Sequence, residues 1–308
     1  MVKNDVRRTG MKAFFTDVLS GICIGVAFII PGFSGGSVAA ILGIYERLIS
    51  AIADILKDFK SSIKTLLPIG VGMIVGIISL LYPLSWALSE FPIPTVSLFV
   101  GLAIGGLPSI TEKLKNEKIK YTRVIPFVLA MLLVISISFM PIGTDKNLLS
   151  LSIGGYILLF VIGILSSSAL VIPGISGSML LLILGYYNPI IGLVTEHLFL
   201  GKDFGTSIIV LMITGIGVIV GFIGISVIMK KLFAKCPKAT YAAIFGFIIG
   251  SMPTIFVSAA KEANMTFSTL PTAPLYWISS ALLLAFGVAV TYALVVYSRK
   301  RIRPDVDV

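Results

Sequence analysis

Apolar runs long enough to cross a bilayer alternate with short polar loops from one end of the chain to the other. A span needs about 20 apolar residues. Residues 65–88, 95–110, 124–140, 206–229, 241–257 and 274–298 meet or approach that length and read as six transmembrane helices. Two further apolar stretches are interrupted. One runs into Pro31-Gly32-Phe33-Ser34-Gly35-Gly36-Ser37 and out through residues 38–55; the other runs through 149–172 into Pro173-Gly174-Ile175-Ser176-Gly177-Ser178 and out through 179–194. Pro and Gly break helices, and a break at membrane depth persists only where it lines protein or a cavity. The limbs around the first break are short for full spans, which predicts a re-entrant helical hairpin over 14–55. The second hairpin is expected over 149–194, although 149–172 is long enough to cross.

The two breaks belong to a repeat. Ser34 and Ser176 stand 142 residues apart, as do Ile41-Leu42-Gly43-Ile44-Tyr45 and Ile183-Leu184-Gly185-Tyr186-Tyr187. At an offset of 145, Gly72-Met73-Ile74-Val75-Gly76 matches Gly217-Val218-Ile219-Val220-Gly221. Gly101 to Ile110 matches Gly246 to Ile255 at the same offset. Residues 1–142 and 143–308 therefore form two units, each a hairpin plus three spans. An odd number of spans inserts the second unit upside down. The expected fold is an all-α polytopic membrane protein of two inverted repeats, an architecture of many secondary transporters. Gly70, Gly72 and Gly76 read as close-packing positions in the first full span.

Hydrophobic residues make up 57% of the chain and charged residues 12%, about half the usual charge of a soluble domain. The net charge of +10 does not point to nucleic acid, because the basic residues cluster in short loops between apolar runs. Those loops are expected to be cytoplasmic, together with both termini. Lys57, Lys60 and Lys64 follow the first hairpin; five basic residues lie within 113–123, four within 230–238 and four within 299–303. Cys23 and Cys236 form no C-x-x-C and read as free thiols. No metal-ligand cluster or cofactor motif is visible.

The paired motifs carry the candidate chemistry. A helix beginning at each break points its N-terminus into the bilayer, where free N–H groups and the dipole favour an anion. Ser34, Ser37, Ser176 and Ser178 add hydroxyls; Gly35, Gly36 and Gly177 offer bare backbone; Pro31, Gly32, Pro173 and Gly174 make the breaks. The plainer reading has the serines as helix caps. Glu46 and Arg47 lie in an apolar segment and face Asn188 and Pro189 in the second copy. Arg47 is a candidate phosphate ligand and Glu46 a candidate proton carrier; the alternative is an interfacial pair. Asp17 is a similar charge nearer the interface. Both motifs also fit G-x-S-G, the nucleophile pattern of intramembrane serine proteases. That chemistry needs a base, and the single histidine, His197, lies in a loop with no counterpart in the first half.

The segment from Gly21 to Ile49, with its Pro-Gly-Phe-Ser-Gly-Gly-Ser motif, resembles a bacterial and archaeal membrane family once catalogued as a domain of unknown function. It is now called the polyprenyl-phosphate transporter family. The second motif, Ile172 to Ser178, fits the same family, and the resemblance covers nearly the whole chain. It implies a flippase that returns undecaprenyl phosphate from the outer to the inner leaflet of the cell membrane for cell-wall polymer synthesis. Its partners would be that lipid, the bilayer and coupling protons, and it would not be an enzyme. Many members of the family carry an acid or amide where Phe28 stands, which puts a proton-carrying role at that position in doubt. A small-anion carrier or channel would use the same helix ends, and an intramembrane serine hydrolase is the reading from a different class.

Overall fold

A computed structural model describes residues 11–30, 33–114, 121–193, 204–263, 265, 271 and 273–302. The described residues form α-helices and short helical turns with no strand. In chain order the helices are α1 (Met11–Ile29), α2 (Gly35–Ile41), α3 (Tyr45–Ala53), α4 (Phe59–Glu90), α5 (Pro92–Thr111) and α6 (Tyr121–Ser138). They continue with α7 (Ile153–Val171), α8 (Gly177–Leu184), α9 (Tyr187–Gly192), α10 (Phe204–Lys235), α11 (Pro237–Glu262) and α12 (Pro274–Ile302). Among the described residues, seven helices are long and apolar enough to cross a membrane: α4, α5, α6, α7, α10, α11 and α12. These are the six expected spans plus the first limb of the second hairpin, and the chain is a multi-pass membrane protein.

Local chemistry sets the ends. Asp58 caps α4 by accepting a hydrogen bond from the Ser61 N–H at 3.1 Å, and Ser152 caps α7 through Gly155 N–H at 3.4 Å. Helices α5, α11 and α12 each begin on proline, whose fixed φ suits the first helical position and whose missing N–H is no loss there.

The hairpins depart from expectation in one respect. The sequence predicts one return limb over 38–55 and one over 179–194. Instead each stops after two turns, at Gly43 (φ +72°) and Gly185 (φ +75°), and restarts at a tyrosine. The bonding is the same in both copies. Gly43 N–H donates to Ala40 O and Ile44 N–H to Ala39 O; Gly185 N–H donates to Leu182 O and Tyr186 N–H to Leu181 O. This is the left-handed glycine cap that closes a helix end. The glycine of the repeated Ile-Leu-Gly segment is therefore a second break.

Helices pack in matched pairs. Within each half the first hairpin limb lies on the first full span, α1 on α4 and α7 on α10. Glycines let the backbones touch: a Cβ on Gly72 would strike Val18 O and one on Gly21 would strike Ile69 O. The counterparts Gly217 and Gly163 sit in the same way against Phe160 O and Thr214 O. Gly70 meets nothing within 4 Å, so of the three expected packing glycines only Gly72 and Gly76 serve. The other pairs cross between halves. Helix α5 lies on α12, with Gly101 and Gly105 against Leu284 and Val288. Helix α11 lies on α6, with Gly246 and Gly250 against Phe127 and Met131. The main buried core joins α1–α3, α5, the end of α10 and α11, and a smaller cluster around Leu159, Ile162 and Val210 serves the second hairpin.

Candidate functional site

The two motifs meet. Ser34 donates to the carbonyl of Ile172 at 3.5 Å, a long bond. Gly36 lies closer to Val171 O than a Cβ would allow, with Pro173 beside it. The Tyr45 hydroxyl donates to Val171 O at 2.9 Å. The first motif is thus seated on the carbonyl end of α7, just before the second break. In that break Pro173 is almost fully buried, Gly174 has φ +81° and its Cα faces Phe247 O of α11. Pro31 and Gly32, the expected first break, lie outside the described residues, as does His197.

The serines differ between the copies. Ser34 and Ser37 are buried, with Gly35 and Gly36. Ser37 is 0% exposed and its hydroxyl has no hydrogen-bond partner. Ser176 caps α8, accepting from Met179 N–H at 3.4 Å, and shares a 2.9 Å hydrogen bond with Ser178, which is exposed. Gly177 lies on Ser166 and Leu170. Residues that the sequence did not single out complete the surroundings. A cavity of ≈ 10 Å³ beside Ser176 is lined by Ser138, Ile175, Thr254 and Ser258, room for about one water. Ser258 is buried and, like Ser37, unpartnered. Its only signal in the sequence was a polar residue one helical turn after Thr254.

Glu46 and Arg47 do not turn to the motifs. Arg47 makes a two-pronged ion pair with Asp17, one prong from Nη1 to Oδ2 at 3.1 Å. Glu46 accepts a hydrogen bond from the Tyr241 hydroxyl at 3.0 Å. A third pair joins Asp54 to Lys230. Among the described residues no cluster of His, Cys, Asp and Glu could hold a metal ion.

The geometry offers hydroxyls and bare backbone at a helix break of a multi-pass membrane protein, with no formal charge in either motif. Such a surface can accept an anionic oxygen without a strong resident charge to hold it permanently.

Residues 24–270 match the family model described as undecaprenyl phosphate translocase-like. The polyprenyl-phosphate transporter of Vibrio cholerae serotype O1 is 26% identical over 320 aligned positions, covering 93% of this chain and 98% of that protein. The polyprenyl-phosphate transporter of Staphylococcus aureus is 32% identical over 260, covering 82% of this chain and 90% of that protein. No solved structure matches. With a family model matched over most of its length, the chain belongs to the undecaprenyl phosphate translocase-like family.

Proposed function

We propose that this protein carries a polyprenyl phosphate, undecaprenyl phosphate above all, across the cytoplasmic membrane. The direction is from the outer to the inner leaflet, with both termini in the cytoplasm. The observation that carries the reading is the meeting of two broken-helix motifs, Ser34 and Gly36 on one side and Val171 to Ser178 on the other, inside a membrane protein of this family. The cargo is a phosphate on a long apolar tail. The tail can stay in lipid, and only the headgroup needs a path.

The magnitudes agree. A charge at the bilayer centre costs from ~3 to over ~10 kcal/mol. Hydrogen bonds to a charged group return about 1.5–3 kcal/mol each, and a helix N-terminus up to ~2 kcal/mol. Ser34, Gly35, Gly36 and Ser37 from one motif and Ser176, Gly177 and Ser178 from the other suffice in number. Helix α8 contributes its N-terminus as well. Helix α2 has seven residues, so its contribution is local N–H groups and hydroxyls more than a dipole.

Transport proceeds by alternating access between the two repeats, 1–142 and 143–308, inserted with opposite orientation. The matched glycine contacts of α1–α4 with α7–α10, and of α5–α12 with α11–α6, support a two-fold relation between them. The water-sized cavity beside Ser176 is too small for a phosphate, so the motifs part to admit one. A hydrolase is disfavoured by the same geometry. The Ser34 hydroxyl meets a carbonyl, and the Ser176 hydroxyl meets another hydroxyl and a backbone N–H; none of these takes a proton from a nucleophile at neutral pH.

The test is purified protein in liposomes with labelled undecaprenyl phosphate placed in one leaflet. Faster transfer than in protein-free vesicles is expected, with a free phosphate ester lacking the tail unable to cross. Equal rates with and without protein would end this reading, and passage of the tailless ester would favour a small-anion carrier.

A further inference from the structure

The two return limbs are equivalent in sequence but not in placement. Helix α2 is mostly buried, whereas in α8 only Gly177 and Met179 are. Helix α3 crosses to the other half and lies along α10. Its polar groups reach three elements there: Tyr45 to Val171 O of α7, Glu46 to Tyr241 of α11, and Asp54, just past its end, to Lys230 of α10. Rings seal the seam, Tyr45 to Phe233 at 5.9 Å and Phe233 to Tyr241 at 5.2 Å between centroids. Helix α9 instead packs within its own half, Ile190 beside the cluster of Leu159 and Val210. Its limb is held by the loop before its own half's α7: Gly143 N–H donates to Leu182 O, Lys146 N–H to Gly185 O, and Asn188 to Asp145.

We infer that α3 is a latch, and that the structure is the state closed at the end of the molecule where α3 meets α10. That end carries the exposed Lys57, Lys60, Lys64, Lys231 and Lys235, which marks it as cytoplasmic. The inference rests on the transport reading above. Tyr45, Glu46 and Asp54 are positioning residues: they tie α3 to α7, α11 and α10 respectively, and so hold the first motif in place. The unmade bond of Ser37 fits this arrangement. A hydroxyl of the first motif is withheld in the interior, while Ser178 of the second is already exposed. When α3 leaves α10, Tyr45 releases Val171 O and the first motif becomes accessible from the cytoplasmic side. Helix α2 lies between the non-helical residues 33–34 and the glycine cap at Gly43. The cap lets α2 and α3 tilt separately.

The test joins the latch covalently. Asp54→Cys and Lys230→Cys are introduced together in a chain with Cys23→Ser and Cys236→Ser, and the pair is bridged with a short thiol cross-linker that reductant cleaves. Transfer of labelled undecaprenyl phosphate in liposomes should fall at least tenfold on bridging and return on reduction. Transport undiminished with the bridge in place would overturn the proposal and make α3 a static strut.

A second reading needs no lipid substrate. A Ser178→Cys reporter is labelled by an impermeant maleimide added from the external side. In the Cys23→Ser, Cys236→Ser background, Tyr45→Phe combined with Asp54→Asn should lower its labelling severalfold. Labelling indifferent to that change would also overturn the latch, even if the unmodified protein proved to carry something else.

Discussion

Arg47 and Asp17 clasp each other in a two-pronged ion pair that joins α3 to α1 across the first hairpin. The two partners are unequally buried: the Asp17 side chain is 10% exposed and that of Arg47 36%. The cost of breaking the pair should depend on which charge is left behind. Arg47→Ala strands a buried carboxylate and should cost about 3 kcal/mol. Asp17→Asn leaves an arginine that can reach water or headgroups and should cost about 1 kcal/mol. Thermal unfolding in detergent, with the double variant closing the cycle, measures the coupling. Equal costs, or no coupling, would show that the pair is not formed in the membrane protein. If Arg47 is instead a phosphate ligand, Arg47→Lys should weaken lipid binding while leaving the unfolding midpoint in place.

The glycines divide into those that let backbones touch and those that do not. Gly72→Ala pushes a methyl group into Val18 O, and Gly217→Ala does the same to Phe160 O. Each should destabilise by about 1–3 kcal/mol. Gly70→Ala and Gly215→Ala point into open space and should be neutral or stabilise by up to ~1 kcal/mol through helix propensity. The comparison within each helix removes the effect of composition, and unfolding midpoints read it directly.

Much of this was legible in the sequence because membrane physics leaves few options. Six spans followed from run length, and the two breaks followed from Pro and Gly in apolar surroundings. In the sequence, the offsets of 142 and 145 align the segments of α2 and α8, α4 and α10, and α5 and α11. No such match links α6 and α12. Their equivalent contacts, Phe127 with Gly246 and Leu284 with Gly101, lie 157 residues apart, and a lipid-facing helix needs only generic apolar residues. Which helix packs on which across the halves was invisible for the same reason. The ion pairs were not legible either. Asp17, Arg47, Asp54 and Lys230 could each be seen, but an ion pair is set by three-dimensional placement, not by spacing. Tyr45 stood in the repeated segment without a role, since nothing in a sequence says that its hydroxyl ends on Val171 O.

The glycine caps of the return limbs should respond unequally to the same change. Gly43 and Gly185 share a left-handed backbone, but Gly43 has no atom within 4 Å of a new Cβ, while Gly185 is pressed against Thr144 O. Gly43→Ala should cost about 1 kcal/mol, the price of the backbone conformation alone, and Gly43→Asn less. Gly185→Ala adds a steric clash and should cost clearly more. Similar costs at both sites would contradict the packing of the 143–146 loop on α8.

Ser37 separates stability from function. Its hydroxyl is fully buried and has no partner, so the folded state forfeits a hydrogen bond that water supplied in the unfolded chain. Removing the group should remove that deficit. Ser37→Ala is expected to raise stability by about 1 kcal/mol, whereas Ser176→Ala, which deletes a cap bond, should lower it by about 0.5–1 kcal/mol. If both hydroxyls hold the headgroup, both variants nonetheless transport more slowly, by roughly tenfold for one charge-assisted bond. A stabilised Ser37→Ala protein with impaired transfer would mean that the hydroxyl is kept for the ligand at a cost to the fold. A stabilised protein with unchanged transfer would reduce Ser37 to a packing residue and leave the second motif to hold the phosphate.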